Sequence, residues 1–317
     1  MKDVYRSYSE HLKDTYHKRV YRIGVDGQFS CPNRNADGSG GCAFCEQSGS
    51  LAAYQNPQDM HAKTCSSNID QRIDHVLKQI ESGKRFLVRR YKAEAFSLYF
   101  QSYTNTFDTL EHLRSLYDAA LSSKDYVELI ISTRPDCLSD DVVALLGSYT
   151  DKVEKVWVEL GLQSANQAAL DLVGRNHDVF SYLKGVDSLH LHGIGVCTHI
   201  MLGLPLDGYA SYAKTAEMIN RVKSEAVKIH NLHICRNTQM EGWYEQGEIT
   251  VASVRRHVEE TVFMLRHLDP SIVIERLVCE TPQRRRIAPR NFVDKHQFIR
   301  QVVRMMEERG WQQGDLV

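Results

Sequence analysis

Three cysteines, Cys31, Cys42 and Cys45, stand at the spacing C-x10-C-x2-C, in a stretch that also carries Gly38, Gly40 and Gly41. Thiolates this close in sequence can reach one metal centre, and the glycines let the backbone turn tightly around it. An all-thiolate donor set favours zinc or an iron–sulfur cluster. A closed zinc site needs a fourth protein ligand, and none follows at finger-like spacing. The nearest candidates, His61 and Cys65, lie outside the glycine-rich stretch. Three thiols fit better with a 4Fe-4S cluster whose fourth iron binds something exchangeable. A structural zinc loop is the alternative.

The loop needs elements to hold it. Val20–Val25 alternates like a strand and runs straight into the cysteines. Ile69, Ile73, Val76, Leu77 and Ile80 recur at helical spacing, which predicts a helix over about 68–82. Apolar runs then appear at Ala95–Phe100, Val127–Ile131, Val156–Leu160, Ile194–Met201 and Val227–Ile234. Helix-patterned segments separate them at about 107–122, 139–148, 166–173 with 178–192, and 209–223. Alternating units of this kind imply an α/β fold with a parallel sheet and helices outside. Six of them predict a partial (βα)6 barrel over residues 19–235, with its active site at the mouth formed by the strands' C-terminal ends. The cysteine loop leaves the first strand, so it belongs at that mouth.

Residues 1–18 read as an N-terminal arm and 236–317 as a C-terminal α/β extension packed on the barrel. The extension is expected to hold a helix at 250–268, a strand at Ile272–Val278, a basic loop at 281–290 and a helix at 292–309. Arg284, Arg285, Arg286 and Arg290 in that loop form a candidate phosphate-binding patch, against the plainer alternative of a solvated loop. Arg89, Arg90 and Lys92 form a second small basic cluster.

Across 317 residues the formal net charge is −1, so no global field draws the chain to nucleic acid, although a local patch would suffice. Beyond the first three, the eight cysteines are scattered, several of them in apolar runs. They read as buried thiols, not a disulfide framework. Met1-Lys2-Asp3-Val4-Tyr5 carries no apolar leader core, and no run reaches membrane length. A reduced cytoplasm without membrane attachment is the expected location.

Polar residues recur where the strands end. Gln101 and Ser102 follow the second strand, and Ser132-Thr133-Arg134-Pro135-Asp136 closes the third. Glu159 and Gln163 straddle Gly161 on the fourth, with Arg175-Asn176-His177 beyond. His199 lies on the fifth strand ahead of Leu204-Pro205, while Lys228 and His230 share one face of the sixth. Each alone has a plain reading as a turn residue, an ion pair or a satisfied core histidine. Together they would be costly to bury at one barrel end without a ligand.

In this order the motifs resemble the radical S-adenosylmethionine (SAM) superfamily, and within it a bacterial family related to the radical subunit of Elongator. The resemblance runs over about residues 18–310. It implies that Cys31, Cys42 and Cys45 ligate a 4Fe-4S cluster and that the backbone at Phe44 touches the adenine of SAM. It places Gln101 and Ser102 where many relatives carry a glycine-rich motif for the SAM amino group, a motif absent here. Glu159 or Gln163 would meet the ribose and methionine portions, Arg175 the carboxylate, and His199 another polar part of SAM. Leu204 with Pro205 would shape the adenine pocket, although Leu206 stands where relatives often have glycine. Lys228 and His230 are the candidates for the substrate side.

The chemistry so implied is reductive cleavage of SAM to a 5′-deoxyadenosyl radical that takes a hydrogen atom from substrate, with an electron donor such as flavodoxin or ferredoxin. Kinship with Elongator implies tRNA as partner and the C5 side chain of a wobble uridine as target. Elongator's radical subunit also has an acetyltransferase domain, for which this chain has no room. Trimming or rearranging an installed side chain is therefore expected over building one from acetyl-CoA. Two alternatives stand beside it: radical chemistry on a small metabolite or tetrapyrrole, and a non-enzymatic iron–sulfur or zinc binding module.

Overall fold

The computed structural model describes residues 4–35, 38–46 and 68–317, so His61 and Cys65 fall outside the described residues. The first half runs α1 (Tyr8–Tyr16), β1 (Val20–Val25), α2 (Ile69–Tyr91), β2 (Ala95–Phe100), α3 (Leu110–Ala120), β3 (Tyr126–Thr133), α4 (Asp140–Gly147) and β4 (Lys155–Gln163). It continues with α5 (Gln167–Leu172), α6 (Val179–Leu191), β5 (Gly195–Leu202), α7 (Tyr209–Arg221) and β6 (Ala226–Asn231). The last part holds β7 (Ile234–Cys235), α8 (Gln239–Glu245), α9 (Val254–His267), β8 (Val273–Arg276), β9 (Arg286–Ala288) and α10 (Lys295–Arg309).

Seven strands form one parallel sheet in the order β1-β2-β3-β4-β5-β6-β8. Side chains alternate across it. Ile23, Val25, Leu98, Phe100, Leu129, Ile131, Val158 and Leu160 pack outward against Val76, Leu113, Val143 and Val186 of the surrounding helices. The other face gathers Tyr99, Ile130, Trp157, Cys197, Ala226 and Val273 from six different strands into one cluster. Such convergence requires a curled sheet, and Arg22 on β1 pairs with Glu275 on β8 across the open side. The architecture is thus a partial barrel with helices outside.

Two particulars differ from the expectation drawn from periodicity. The strand near 272–278 joins the main sheet as its seventh member beside β6, because the chain between them, with α8 and α9, makes one more crossover. The helix expected at 68–82 runs on to Tyr91, since Leu87 continues its buried stripe. Arg89 and Arg90 lie in its last turn and Lys92 caps it, where positive charge suits the carbonyl end. That basic cluster therefore has a local structural use.

The barrel's open edge is covered by the N-terminal segment. Ser7 forms a parallel bridge with Ile274, and Arg6 accepts the Ile274 N–H through its carbonyl at 2.8 Å. An edge so paired cannot recruit a foreign strand. From there α1 sends Tyr8 and Tyr16 inward to the Glu128 carboxylate, which also accepts from Ser97 and from Trp157 at 3.0 Å. Among the described residues no helix is long and apolar enough to cross a membrane.

Candidate active site

The exit of β1 is tied to α2 by Gln79, whose amide bonds the backbone of Asp26 in both directions. The chain then turns on Gly38, Gly40 and Gly41, all at positive φ. At Gly40 a side chain would also crowd the Asn33 carbonyl at 3.1 Å. Inside this loop the Arg34 guanidinium donates to the Gly38 carbonyl at 2.9 Å, the Glu46 carbonyl at 3.1 Å and the Cys45 Sγ at 3.1 Å. The Asn33 amide donates to the Cys42 Sγ at 3.4 Å and to the carbonyls of Gly174 and Arg175. Burial pushes the Cys45 thiol up; Arg34 opposes this, while Cys42 and Cys31 add to it. The three thiols are therefore electrostatic neighbours. Among the described residues no three His, Cys, Asp or Glu side chains meet as a site for a single metal ion.

The loop is seated on the barrel mouth. Ala43 donates to the Val173 carbonyl at 2.8 Å and accepts from Met240 at 3.1 Å. Phe44 packs in the apolar patch that contains Leu204, Met201, Leu232 and Met240, so Phe44 and Leu204 share one wall. The ion pair of Glu46 with Arg285 attaches the loop to the antiparallel β7–β9 pair.

Arg175 links the loop to the strand ends. One of its Nη atoms lies 3.6 Å from the Cys42 Sγ, and the other donates to the Gly161 carbonyl at 3.0 Å. Glycine at 161 makes room for this contact, because a Cβ would stand 2.5 Å from that guanidinium and displace it. Arg134, itself paired with Asp136 at 2.9 Å, donates to the Arg175 carbonyl and so fixes the loop carrying Arg175. Gln163 sits at φ 70 where the β4–β5 register shifts, a strained turn of backbone at the mouth. Gln101 lies across Gly24, where a Cβ would meet its amide at 2.8 Å, and Ser102 is buried beside it in sequence.

His199 and His230 meet on the inner face with their rings tilted at 43°, centroids 5.1 Å apart. Burial, then Lys228 and Arg276, hold the His199 ring far below its ordinary pKa; burial, Arg276 and His199 do the same at His230. Both rings are neutral at neutral pH.

Glu159 on β4 and Lys228 on β6 face each other. They bond each other at 2.7 Å, and the Tyr99 hydroxyl sits within 2.9 Å of the Lys228 ammonium. Arg22 joins them at 3.4 Å from Glu159 and bonds Glu275, which lies 3.7 Å from Lys228. Burial works against the Lys228 charge, but Glu159 and Glu275 outweigh it and hold the ammonium well above its usual range. A carboxylate and an ammonium expected to meet cofactor and substrate are thus engaged with one another. Sequence reasoning missed Asn33 and Arg34, although both lie between the cysteines, and it missed Arg22, Glu275 and Arg276. The signal for Glu275 and Arg276 was charge inside an apolar strand.

Comparison with known proteins agrees with this geometry. The radical SAM superfamily profile matches residues 31–219, and the radical SAM C-terminal domain profile matches 224–308. The chain is 32% identical over 311 residues to YtqA of Bacillus subtilis, covering 98% of this chain and 92% of that protein. It is 32% identical over 279 residues to YhcC of Escherichia coli, covering 88% of this chain and 84% of that protein. In fold it matches the archaeal Methanocaldococcus infernus Elp3 with a TM-score of 0.68 at 17% identity, covering 93% of this chain and 64% of Elp3. The chain thus spans less than two-thirds of the Elp3 structure.

The residues present fit the cofactors of the superfamily. Three thiols share one loop with guanidinium groups at two of the sulfurs, and the mouth above the strands keeps buried polar atoms without partners among the described residues: Gln163 Oε1, Arg175 Nε, Arg134 Nη1 and His199 Nε2. Buried groups of this kind call for a polar ligand. Thiols for a 4Fe-4S cluster, a polar mouth for SAM, and sequence kinship over nearly the whole length converge on one conclusion, that this chain belongs to the radical SAM superfamily of enzymes.

Proposed function

We propose that this chain is a tRNA-modifying enzyme that acts on the C5 side chain of a wobble uridine. One observation carries the reading: the arginine-bearing antiparallel pair of β7 and β9 is tied to the cysteine loop. Arg285 anchors it through Glu46, while Arg236, Arg284 and Arg290 stand exposed around it. Exposed guanidinium groups beside a reaction mouth suit a substrate with a phosphate backbone. The resemblance to Elongator's radical subunit points the same way, and the fold match to Elp3 is compatible with it.

On this reading Cys31, Cys42 and Cys45 hold the cluster, braced by Asn33 and Arg34. Arg175 and Gln163 receive the polar end of SAM, and Phe44 with Leu204 flanks its adenine. Gln101, Ser102 and His199 complete the cofactor side, and His230 faces substrate. When bound, the cluster and SAM supply a radical able to remove hydrogen from an unactivated carbon. The protein's task is to orient these groups and exclude competing partners. Arg134 and Gly161 serve orientation by fixing Arg175. Glu159 and Lys228 form the floor that holds β1, β4, β6 and β8 together. A flavodoxin- or ferredoxin-type donor and a cytoplasmic setting complete the proposal.

The test is mass spectrometry of tRNA nucleosides from a strain lacking the gene beside its parent. The expected result is a missing or accumulated modified wobble uridine, restored by the intact gene and not by Cys42→Ala. An unchanged profile under both aerobic and anaerobic growth would overturn the tRNA assignment and direct the search to metabolites.

A further inference from the structure

Among the described residues, most charged side chains below the mouth meet an opposite charge or a hydrogen-bond donor. Arg22 and Lys228 oppose Glu159 and Glu275, and the deeper Glu128 is taken by Tyr8, Tyr16, Ser97 and Trp157. Arg276, the last residue of β8, makes no such close pair; its charge acts on the neighbouring Glu275 carboxylate only from a distance, and Glu275 itself is taken by Arg22 and Lys228. Among the described residues its guanidinium makes no hydrogen bond or ion pair, and its Nε is shut off from solvent. Its position is not remote from the chemistry. Arg276 is the register partner of Lys228, and its charge is among the causes that depress both His199 and His230.

The layout has two sides. Arg175 stands by the Cys42 thiol; the His199 ring lies 5.1 Å from the His230 ring; and register sets His199, Lys228 and Arg276 in one row across β5, β6 and β8, from which Arg276 acts on both rings. The two imidazoles thus lie between an arginine on the cysteine side and an unpaired arginine on the β6–β8 side. A half-desolvated guanidinium without an acceptor is unfavourable, and an anion arriving there restores the lost interaction. The planar fork of arginine matches a carboxylate in two-point contact, and neutral imidazoles offer N–H donors without adding charge.

We propose that Arg276, with His230 and with His199 left on the cofactor side, is a receptor for a carboxylate carried by the substrate next to the carbon that reacts. This rests on the chain acting as a radical SAM enzyme and not on tRNA being its target. Arg175, at the cysteine side, is left for the carboxylate of SAM itself.

The experiment uses the holoenzyme, loaded with cluster and SAM, and 13C-labelled acetate as the probe, read by ligand-observed NMR. Wild type is expected to broaden the acetate signal. Arg276→Gln reduces the effect at least about fivefold, and Arg276→Lys keeps the charge but loses the two-point contact and falls between them. SAM affinity and the thermal midpoint stay unchanged in both variants. Equal broadening by wild type and Arg276→Gln would overturn the proposal. So would displacement of acetate by excess SAM with loss of SAM affinity in Arg276→Gln, which would assign the arginine to the cofactor. Stronger competition by inorganic phosphate than by unlabelled acetate would overturn the carboxylate class. The tRNA assignment fails separately, on an unchanged nucleoside profile, and leaves this outcome intact.

Discussion

Arg34 and Arg175 approach the cysteine loop from two sides, each bringing a guanidinium to a different sulfur. Donors aimed at a thiolate stabilise its charged form, and Arg34 also ties four backbone carbonyls of the loop. Arg34→Ala is expected to lower iron and sulfide content per chain by about half or more after anaerobic reconstitution, with Arg34→Lys intermediate. Full loading of the alanine variant would show that the glycines alone shape the loop. Gly161 makes a second residue-scale case. A methyl there lands 2.5 Å from the Arg175 guanidinium and must push it aside. Gly161→Ala should weaken SAM binding roughly tenfold, about 1.4 kcal/mol, with little change in the thermal midpoint. A calorimetric titration that finds wild-type affinity would remove Arg175 from the cofactor site.

Between elements, the layer of Arg22, Tyr99, Glu159, Lys228 and Glu275 ties five strands across the open barrel. Buried pairs of this kind add little net stability when intact, but removing one partner strands the other. Lys228→Met should therefore cost about 3–5 kcal/mol in denaturant unfolding. Adding Glu159→Leu should return part of the loss, because the stranded carboxylate goes with it. Should Lys228→Met unfold like wild type and lose only turnover, the lysine would belong to substrate after all.

At the scale of the whole molecule, the interior stores neutral histidines. Burial, then the Arg175 charge, lowers His177 to about 4, and burial with Arg286 lowers His233 to about 3. His199 and His230 are depressed further still. An unfolded chain takes up these protons near the ordinary value of about 6.5, while the folded chain refuses them until far lower pH. Stability from these groups is complete above about pH 6.5 and declines by about 1.4 kcal/mol per pH unit for each refused proton as pH falls toward 4. A thermal midpoint that stays flat from pH 6.5 to 5 would contradict the buried, neutral state of these rings.

What the sequence determined by itself was periodic or local. Strands at 95–100 and 127–131 and their neighbours were legible as short apolar runs, because a strand covered on both faces must be apolar nearly throughout, and the βα rhythm implied the parallel barrel. The cysteine triplet was legible because its spacing alone brings three thiols within one loop. Tertiary structure decided which charges answer which. Glu159 and Lys228 stand 69 residues apart and Arg22 and Glu275 stand 253 apart, so no local pattern pairs them. Register between strands and the curl of the sheet settled that pairing, drew β8 into the barrel beside β6, and left Arg276 without a close pair. Long-range electrostatic partners are a property of the closed sheet, which sequence periodicity does not encode.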